Sequence, residues 1–115
     1  MICCRPPLPR AARRKKTLTL TFPLRSWMLN PKGTLHGGIM TTMLDMAMGM
    51  LARYERKVNL VSTVSLSVDF LRPVRADTAT VSAHVRKAGR AVVFTEAKLT
   101  DPQGRLCADA QATFM

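Results

Sequence analysis

The first residue that could take part in catalysis is a single carboxylate inside an apolar segment. Asp45 is the only acidic residue before Glu55, and methionines, leucines and alanines surround it over residues 38–54. Burying a carboxylate costs on the order of several kcal/mol unless the group is paired or used. Asp45 is therefore either a structural residue bonded to a loop or a basic side chain, or a general base or nucleophile.

A second candidate site precedes this carboxylate, in the run His36-Gly37-Gly38. The two glycines let a substrate approach the backbone closely. If a helix begins here, its first N–H groups lack partners within the helix and suit an oxyanion. The alternative is a turn in which His36 or a neighbouring side chain caps the helix.

The spacing of apolar residues predicts a helix over residues 38–54 that carries Asp45. Apolar residues cover most of its circumference, which is typical of a buried helix. Thr41, Thr42 and Asp45 share one stripe, and Gly49 lies one turn further along it. A single small sheet cannot cover such a helix on all sides, so we expect a second subunit to cover its outer side.

Alternating polar and apolar residues predict five strands around that helix. The strands cover residues 17–22, 60–70, 78–86, 91–100 and 105–114. Short breaks with turn residues, such as Arg72-Pro73, separate the last four, which predicts antiparallel hairpins between strands adjacent in sequence. One helix on a five-stranded antiparallel sheet is an α+β architecture.

Length and composition limit the classes of protein to consider. The 115 residues, 47% of them hydrophobic, suit one globular domain. No apolar run approaches the roughly 18 residues of a membrane span, so no membrane association is expected. Three cysteines cannot form a disulfide framework, and no apolar segment near the N-terminus is long enough for a signal peptide. The expected location is the reducing cytoplasm.

The net charge of +11 is concentrated at the start of the chain. Residues 1–16 contain six basic residues, three prolines and no acidic residue, so we expect a disordered tail there and a folded domain over residues 17–115. That domain carries 12 basic and 7 acidic residues, a net charge of +5. It has no interleaved basic and aromatic stripe, which disfavours nucleic-acid binding.

The order and spacing of the site residues resemble a known family. The run N-x-x-G-x-L-H-G-G-x-x-x-x-x-L-D, from Asn30 to Asp45, resembles the signature of PaaI-like acyl-CoA thioesterases, the phenylacetate-pathway type of hotdog-fold enzyme. The resemblance continues in residues 68–73 and 86–90 and spans about residues 17–115. It implies a hotdog fold, in which a five-stranded antiparallel sheet wraps a long buried helix.

The resemblance also implies a role for each residue of the motif. Asn30 would orient the thioester or the attacking water, and the Gly37 N–H would polarise the thioester carbonyl. Asp45 would act as general base or as nucleophile, and Thr63 matches a position near the water. For His36, a structural hydrogen bond is favoured over a catalytic role.

Basic residues outside the tail fit coenzyme A, which is part of the expected substrate, so no separate cofactor is expected. Arg72, Lys87 and Arg90 lie at strand ends and a hairpin, where flexible cations reach phosphates, although each is equally well explained as a solvated charge. Gly38 lies on the backbone that the bound ligand would approach. The alternative function is a non-catalytic acyl-CoA-binding or sensing module, against which Asp45 argues, since a binder needs no buried carboxylate.

The positions of Gly37 and Asp45 predict a site shared between two chains. Eight residues separate them, which is about 12 Å along a helix at ~1.5 Å per residue. One reacting carbon needs both groups within roughly 3 Å. We expect a homodimer with antiparallel helices, in which Asn30 and Gly37 of one chain face Asp45 and Thr63 of the other. Such dimers could pair further into a homotetramer.

Overall fold

The computed structural model describes residues 10–14 and 16–115. These residues form one long helix and six strands. In chain order the elements are β1 (Arg10–Arg14), β2 (Thr17–Pro23), a 3₁₀ turn (Ser26–Met28), α1 (Gly37–Arg56), β3 (Thr63–Phe70), β4 (Thr78–Ala88), β5 (Val93–Thr100) and β6 (Leu106–Phe114). Over the described ranges, no helix is both long enough and apolar enough to cross a membrane.

The six strands form one antiparallel sheet in the order β1-β2-β4-β5-β6-β3. The predicted β4–β5 and β5–β6 hairpins are confirmed. The hairpin predicted at Arg72-Pro73 is wrong, because β3 pairs with β6 at the sheet edge while β4 pairs with β2. Residues 71–77 cross the end of the sheet instead of turning tightly. The Leu71 and Arg72 N–H groups both donate to the Cys107 carbonyl, and the Val74 carbonyl accepts from Leu35.

Helix α1 packs across the inner face of this sheet, and apolar residues from both sides form the core. The buried residues of the helix are Met40, Met43, Leu44, Ala47, Met48, Leu51 and Ala52. Every second residue of β2 is buried, as its alternation predicts. Ile39, Met46 and Met50 remain partly exposed on the helix. One long helix on an antiparallel sheet is the predicted α+β architecture, and the arrangement is that of the hotdog fold.

Strand β1 is the element that the sequence does not predict. Residues 10–14 fall within the expected disordered tail, yet they pair with β2, with Arg10 opposite Thr21 and Arg14 opposite Thr17. The segment has no apolar alternation that would mark a strand. Its backbone instead satisfies the open hydrogen-bonding edge of β2. Residues 1–9 and 15, which make up most of that predicted tail, lie outside the described residues.

Candidate active site

Helix α1 begins at the glycine pair, and its first amides have different partners. His36 is the N-cap residue, and its Nδ1 accepts a hydrogen bond from the Gly38 N–H at 2.9 Å. The Ile39 N–H donates to the His36 carbonyl. Within the part of the chain that the structure describes, the Gly37 N–H has no hydrogen-bond acceptor. It is the amide at the helix start that remains available to an oxyanion.

The cap also explains the glycine at position 38. A Cβ added to Gly38 would lie 3.0 Å from Nδ1 of His36, closer than ordinary van der Waals contact, so a larger residue would require the capping imidazole to shift by a few tenths of an ångström. His36 thus makes the structural hydrogen bond that its sequence context favours. The Gly38 N–H, expected on the surface that a ligand approaches, is already engaged by this cap.

Asn30 organises the loop that leads to the helix start. Its Oδ1 accepts from the N–H groups of Lys32 (3.0 Å) and Thr34 (3.2 Å), and its Nδ2 donates to Thr34 Oγ1 at 2.8 Å. Gly33 completes the turn with a φ of 78°, a value that favours glycine. Among the described residues, the second N–H of the Asn30 amide has no acceptor. Any contact of Asn30 with a substrate or water therefore depends on that one N–H.

The side chains of Asp45 and Thr63 meet between the middle of α1 and the start of β3. Thr63 Oγ1 donates a hydrogen bond to Asp45 Oδ1 at 2.9 Å. Asp45 is half-buried in the single chain, less than its apolar sequence context predicts. Its Oδ2 has no partner among residues 10–14 and 16–115. The hydrogen bond thus fixes one oxygen and leaves the other free to accept a proton.

Gly37 and Asp45 line different cavities. The cavity at the helix start has a volume of about 300 Å³, and its walls include Phe70 and Arg72. The cavity beside Asp45 has a volume of about 230 Å³, and Phe114 lies in its wall. The two groups are also about 12 Å apart along the helix axis. A single chain therefore does not bring the free amide and the carboxylate to one reacting atom.

The basic residues expected to bind phosphates lie at the two ends of α1. Arg72 borders the Gly37 cavity at the N-terminal end. Arg90 lies at the other end, where its carbonyl accepts a hydrogen bond from Arg56 Nη1 at 3.1 Å, and Lys87 is in the last part of β4 beside it. The 20 residues of α1 extend about 30 Å at ~1.5 Å per residue. One chain does not gather Arg72, Lys87 and Arg90 around one phosphate group.

Phe70 and Phe114 are site residues that the sequence does not predict. Atoms of the Phe70 ring lie 3.5 Å from the position that a Cβ on Gly37 would occupy. The Phe114 ring lies 3.3 Å from the corresponding position on Gly49. Alternation within each strand predicts burial of both rings, which is confirmed for Phe114 (2% exposed) and wrong for Phe70 (54% exposed), and it does not predict their neighbours on the helix. Those contacts depend on the long-range placement of β3 and β6.

Comparison with known proteins assigns a family to this arrangement. A family model described as the thioesterase superfamily matches residues 32–108. The described backbone is similar to the crystal structure of a phenylacetic acid degradation-related protein from Ralstonia eutropha JMP134, with a TM-score of 0.82 and 30% sequence identity. That similarity covers 94% of this chain and 83% of the other.

Two curated relatives are named as enzymes of acyl-CoA thioesters. The chain is 30% identical over 95 residues to a medium/long-chain acyl-CoA thioesterase of Escherichia coli K12, covering 70% of this chain. It is 34% identical over 87 residues to acyl-coenzyme A thioesterase 13 of Pongo abelii, covering 73% of this chain. The chain spans 61% of the length of each relative.

Proposed function

We propose, because this chain belongs to the thioesterase superfamily, that it hydrolyses an acyl-CoA thioester to a free acid and coenzyme A. The observation that carries the proposal is the hydrogen bond between Thr63 Oγ1 and Asp45 Oδ1 beside a cavity. It holds a carboxylate in one orientation with its second oxygen free. The acyl-CoA thioesters named for the two curated relatives support the substrate class.

The carboxylate of Asp45 supports two chemical routes. As a general base, Asp45 takes a proton from water while the water oxygen attacks the thioester carbon; the C–S bond then breaks, and the proton passes to the departing thiolate. As a nucleophile, Asp45 attacks the same carbon and expels the thiolate, and water hydrolyses the resulting anhydride. Both routes need the carboxylate held in place, so Thr63 positions Asp45 in either case.

The Gly37 N–H supplies the charge stabilisation in this proposal. As the carbonyl carbon becomes tetrahedral, negative charge grows on its oxygen, and a fixed N–H at a helix N-terminus stabilises that charge. Since Gly37 and Asp45 of one chain line separate cavities, the Gly37 amide acts on the thioester whose hydrolysis the partner's Asp45 promotes. The enzyme is accordingly a homodimer with two shared sites.

Exposed apolar side chains support a partner chain. Leu60 is 83% exposed and Phe70 is 54% exposed, and Leu71 beside Phe70 is exposed as well. Leu60 borders the Asp45 cavity, whereas Phe70 and Leu71 border the Gly37 cavity. Burial of such surface is the main driving force for association. A second copy that joins the two cavities would cover these residues.

In the shared site, Arg72 would lie near the thioester, whereas Lys87 and Arg90 would lie farther from it. Arg72 lies beside the Gly37 cavity, near the proposed position of the thioester. On the partner chain, the helix runs from Asp45 to its end at Arg56 over about 16 Å at ~1.5 Å per residue. Lys87 and Arg90 of that chain lie there, and the long arm of coenzyme A carries its phosphates away from the thioester. These two residues are therefore our candidates for the phosphate contacts.

The test is release of free thiol from acetyl-, octanoyl- and phenylacetyl-CoA, each supplied to the full chain. We expect saturable release with at least one of them. Binding of coenzyme A without release of thiol from any of the three would favour the alternative function, a non-catalytic acyl-CoA-binding module. Absence of both binding and release would contradict both functions.

A further inference from the structure

The hydroxyl group of Thr41 is directed at the first turn of helix α1. Thr41 shares one stripe of the helix with Asp45, one turn away, but its side chain makes no hydrogen bond to that carboxylate among the described residues. Its Oγ1 instead donates a hydrogen bond to the Gly37 carbonyl at 2.9 Å. Thr41 therefore contacts the backbone on which the proposed oxyanion donor lies.

Two peptide groups meet at the α carbon of Gly37, and most of their polar atoms have partners within the chain. The carbonyl of the first group, that of His36, accepts from two N–H groups of the first helical turn, both at 3.0 Å. In the second group, the Gly38 N–H donates to Nδ1 of His36 at 2.9 Å. The carbonyl of that second group is the acceptor for Thr41. Over residues 10–14 and 16–115, the Gly37 N–H is the one polar atom of the two groups without a partner.

The glycine pair makes such restraint important. Glycine adopts a wider range of backbone angles than any other residue, so two in succession leave a helix start loosely defined. An oxyanion donor contributes to catalysis only if it is fixed before the charge develops. A misplacement of about 1 Å can cost roughly 100-fold in rate. The hydrogen bonds of His36 and Thr41, on opposite sides of the peptide group between Gly37 and Gly38, provide that fixation.

We infer that Thr41 is a positioning residue for the oxyanion donor: its hydroxyl holds the Gly37 carbonyl, and the Gly37 N–H thereby keeps the orientation that the thioester oxygen requires. The inference rests on the proposed thioester hydrolysis. Thr41 touches no reacting atom in this role and acts only through the backbone of Gly37.

Thr42 separates this role from an ordinary structural one. Threonines in helices often bond the carbonyl four residues earlier, and the bond alone would fit that habit. Thr42 makes the same bond, from its Oγ1 to the Gly38 carbonyl at 2.9 Å. That carbonyl belongs to the next peptide group along the helix, which is not bonded to the α carbon of Gly37. Thr42 is therefore the matched control for Thr41.

The test compares Thr41→Val, Thr41→Ser and Thr42→Val. Valine has nearly the shape of threonine and a similar helix propensity but lacks the hydroxyl, whereas serine retains it. One measurement is kcat for thiol release from acetyl-, octanoyl- or phenylacetyl-CoA at saturation, and the other is the dissociation constant of free coenzyme A. Circular dichroism verifies that each variant is folded.

We expect kcat to fall about 3–10-fold in Thr41→Val, as the loss of one hydrogen bond predicts. The dissociation constant of coenzyme A should stay unchanged, because the N–H acts on charge that develops during the reaction. Thr41→Ser and Thr42→Val should both keep the wild-type kcat. In a Gly37→Pro background, where the donor is absent, Thr41→Val should cause no further fall.

Three outcomes would overturn the inference. A wild-type kcat in Thr41→Val would do so directly. Equal losses in Thr41→Val and Thr42→Val would indicate only a less stable helix start. A further fall in the Gly37→Pro background would mean that Thr41 acts through another group.

Failure of the proposed function has a different signature, because the wild-type protein would then release no thiol. Exchange of the Gly38 amide hydrogen, followed by NMR, tests the restraint without any turnover. This exchange should be faster in Thr41→Val than in Thr42→Val, since the peptide group that carries the Gly38 N–H has lost its hold on the carbonyl side. Equal exchange in the two variants would overturn the inference.

Discussion

At the scale of single residues, Asp45 and Thr63 meet although 18 positions separate them in the chain. Asp45 is recognisable from the sequence because a lone carboxylate in an apolar helix is costly. Thr63 is implied only by the family resemblance. Nothing in the spacing indicates that the first residue of β3 lies against the middle of α1, because that contact depends on the pairing of β3 with β6.

Replacement of Asp45 tests the proposed chemistry directly. Asp45→Asn keeps the shape of the side chain and can still accept the hydrogen bond from Thr63, but it cannot take up a proton or attack a carbonyl. Turnover should fall on the order of 10²–10⁴-fold, the usual contribution of a positioned acid–base group. Thiol release under saturating substrate is the measurement, and Asp109→Asn is the control because Asp109 borders neither cavity. Near-normal turnover in a folded Asp45→Asn protein would contradict the role of Asp45 as general base or nucleophile.

The free amide of Gly37 can be removed with little disturbance of the backbone. Gly37 is the first residue of α1, a position at which proline is tolerated, and His36 before it has the extended conformation that a following proline requires (φ −64°, ψ 134°). Gly37→Pro should lower turnover by ~10²–10³, the cost of losing one oxyanion donor. Gly37→Ala is the matched control, because it retains the N–H and its Cβ would make only ordinary contact with Phe70 at 3.5 Å. Equal turnover in the two variants would place the donor elsewhere.

At the scale of elements, the sequence predicts the helix and five strands well, because amphipathic periodicity is a local property. The predicted helix over residues 38–54 agrees with α1 to within two residues at either end. Strand pairing is not a local property, and for that reason the prediction of a hairpin at Arg72-Pro73 is wrong. Strand β1 is not predicted for a different reason. Its pairing with β2 is made by backbone groups, which are the same in every sequence and leave no side-chain pattern to recognise.

The turn between β5 and β6 contains a buried carboxylate whose role is structural. Asp101 Oδ1 accepts from the N–H groups of Gln103 and Arg105, both at 3.0 Å, and its Oδ2 accepts from Arg105 Nε at 2.7 Å. Burial raises the pKa of Asp101, but the hydrogen bonds and charge of Arg105 outweigh burial and lower that pKa below its ordinary value. The ionised form therefore stabilises the fold above the ordinary pKa, and this contribution is lost as the pH falls through the lowered value.

Asp101→Asn removes that charge together with the acceptor for Arg105 Nε, while the amide oxygen remains available to the backbone N–H groups of Gln103 and Arg105. We expect a lower midpoint of thermal unfolding than in the wild type at pH 7, and a difference that shrinks as the pH is lowered from 7 toward about 2, through the lowered pKa of Asp101. Circular dichroism across that range is the measurement. Asp77→Asn, at an exposed position, should show no such trend. A difference between Asp101→Asn and the wild type that stays constant with pH would contradict the charge as its cause.

At the scale of the whole molecule, one chain carries the two groups of the proposed site in two separate places. Gly37 lies at the start of α1, and Asp45 lies in the middle of it. The helical rise between these residues indicates this separation from the sequence alone. The relative placement of the two cavities does not follow from the sequence, since their walls come from α1, β3, β6 and the connections between them.

Mixed dimers test the shared site. Gly37→Pro and Asp45→Asn chains, each inactive alone, are unfolded together and refolded. Random pairing makes about half of the dimers mixed, and each mixed dimer has one intact and one doubly damaged site. About a quarter of the wild-type activity should therefore return. If both groups of a site came from one chain, every site would carry a lesion, and heterodimers verified by differential tagging would stay inactive.

Within each chain, strand β3 contacts both groups of the proposed site, Asp45 and Gly37. Its first residue, Thr63, holds Asp45, and its last residue, Phe70, lies against Gly37. Among the described strands, β6 is its only hydrogen-bonded neighbour. Edge strands fray at a lower free-energy cost than central ones. Opening of β3 would therefore break the Thr63–Asp45 hydrogen bond and the contact of Phe70 with Gly37 together. Amide hydrogen exchange along residues 63–70 should accordingly slow as a single cooperative unit when a substrate analogue occupies either end.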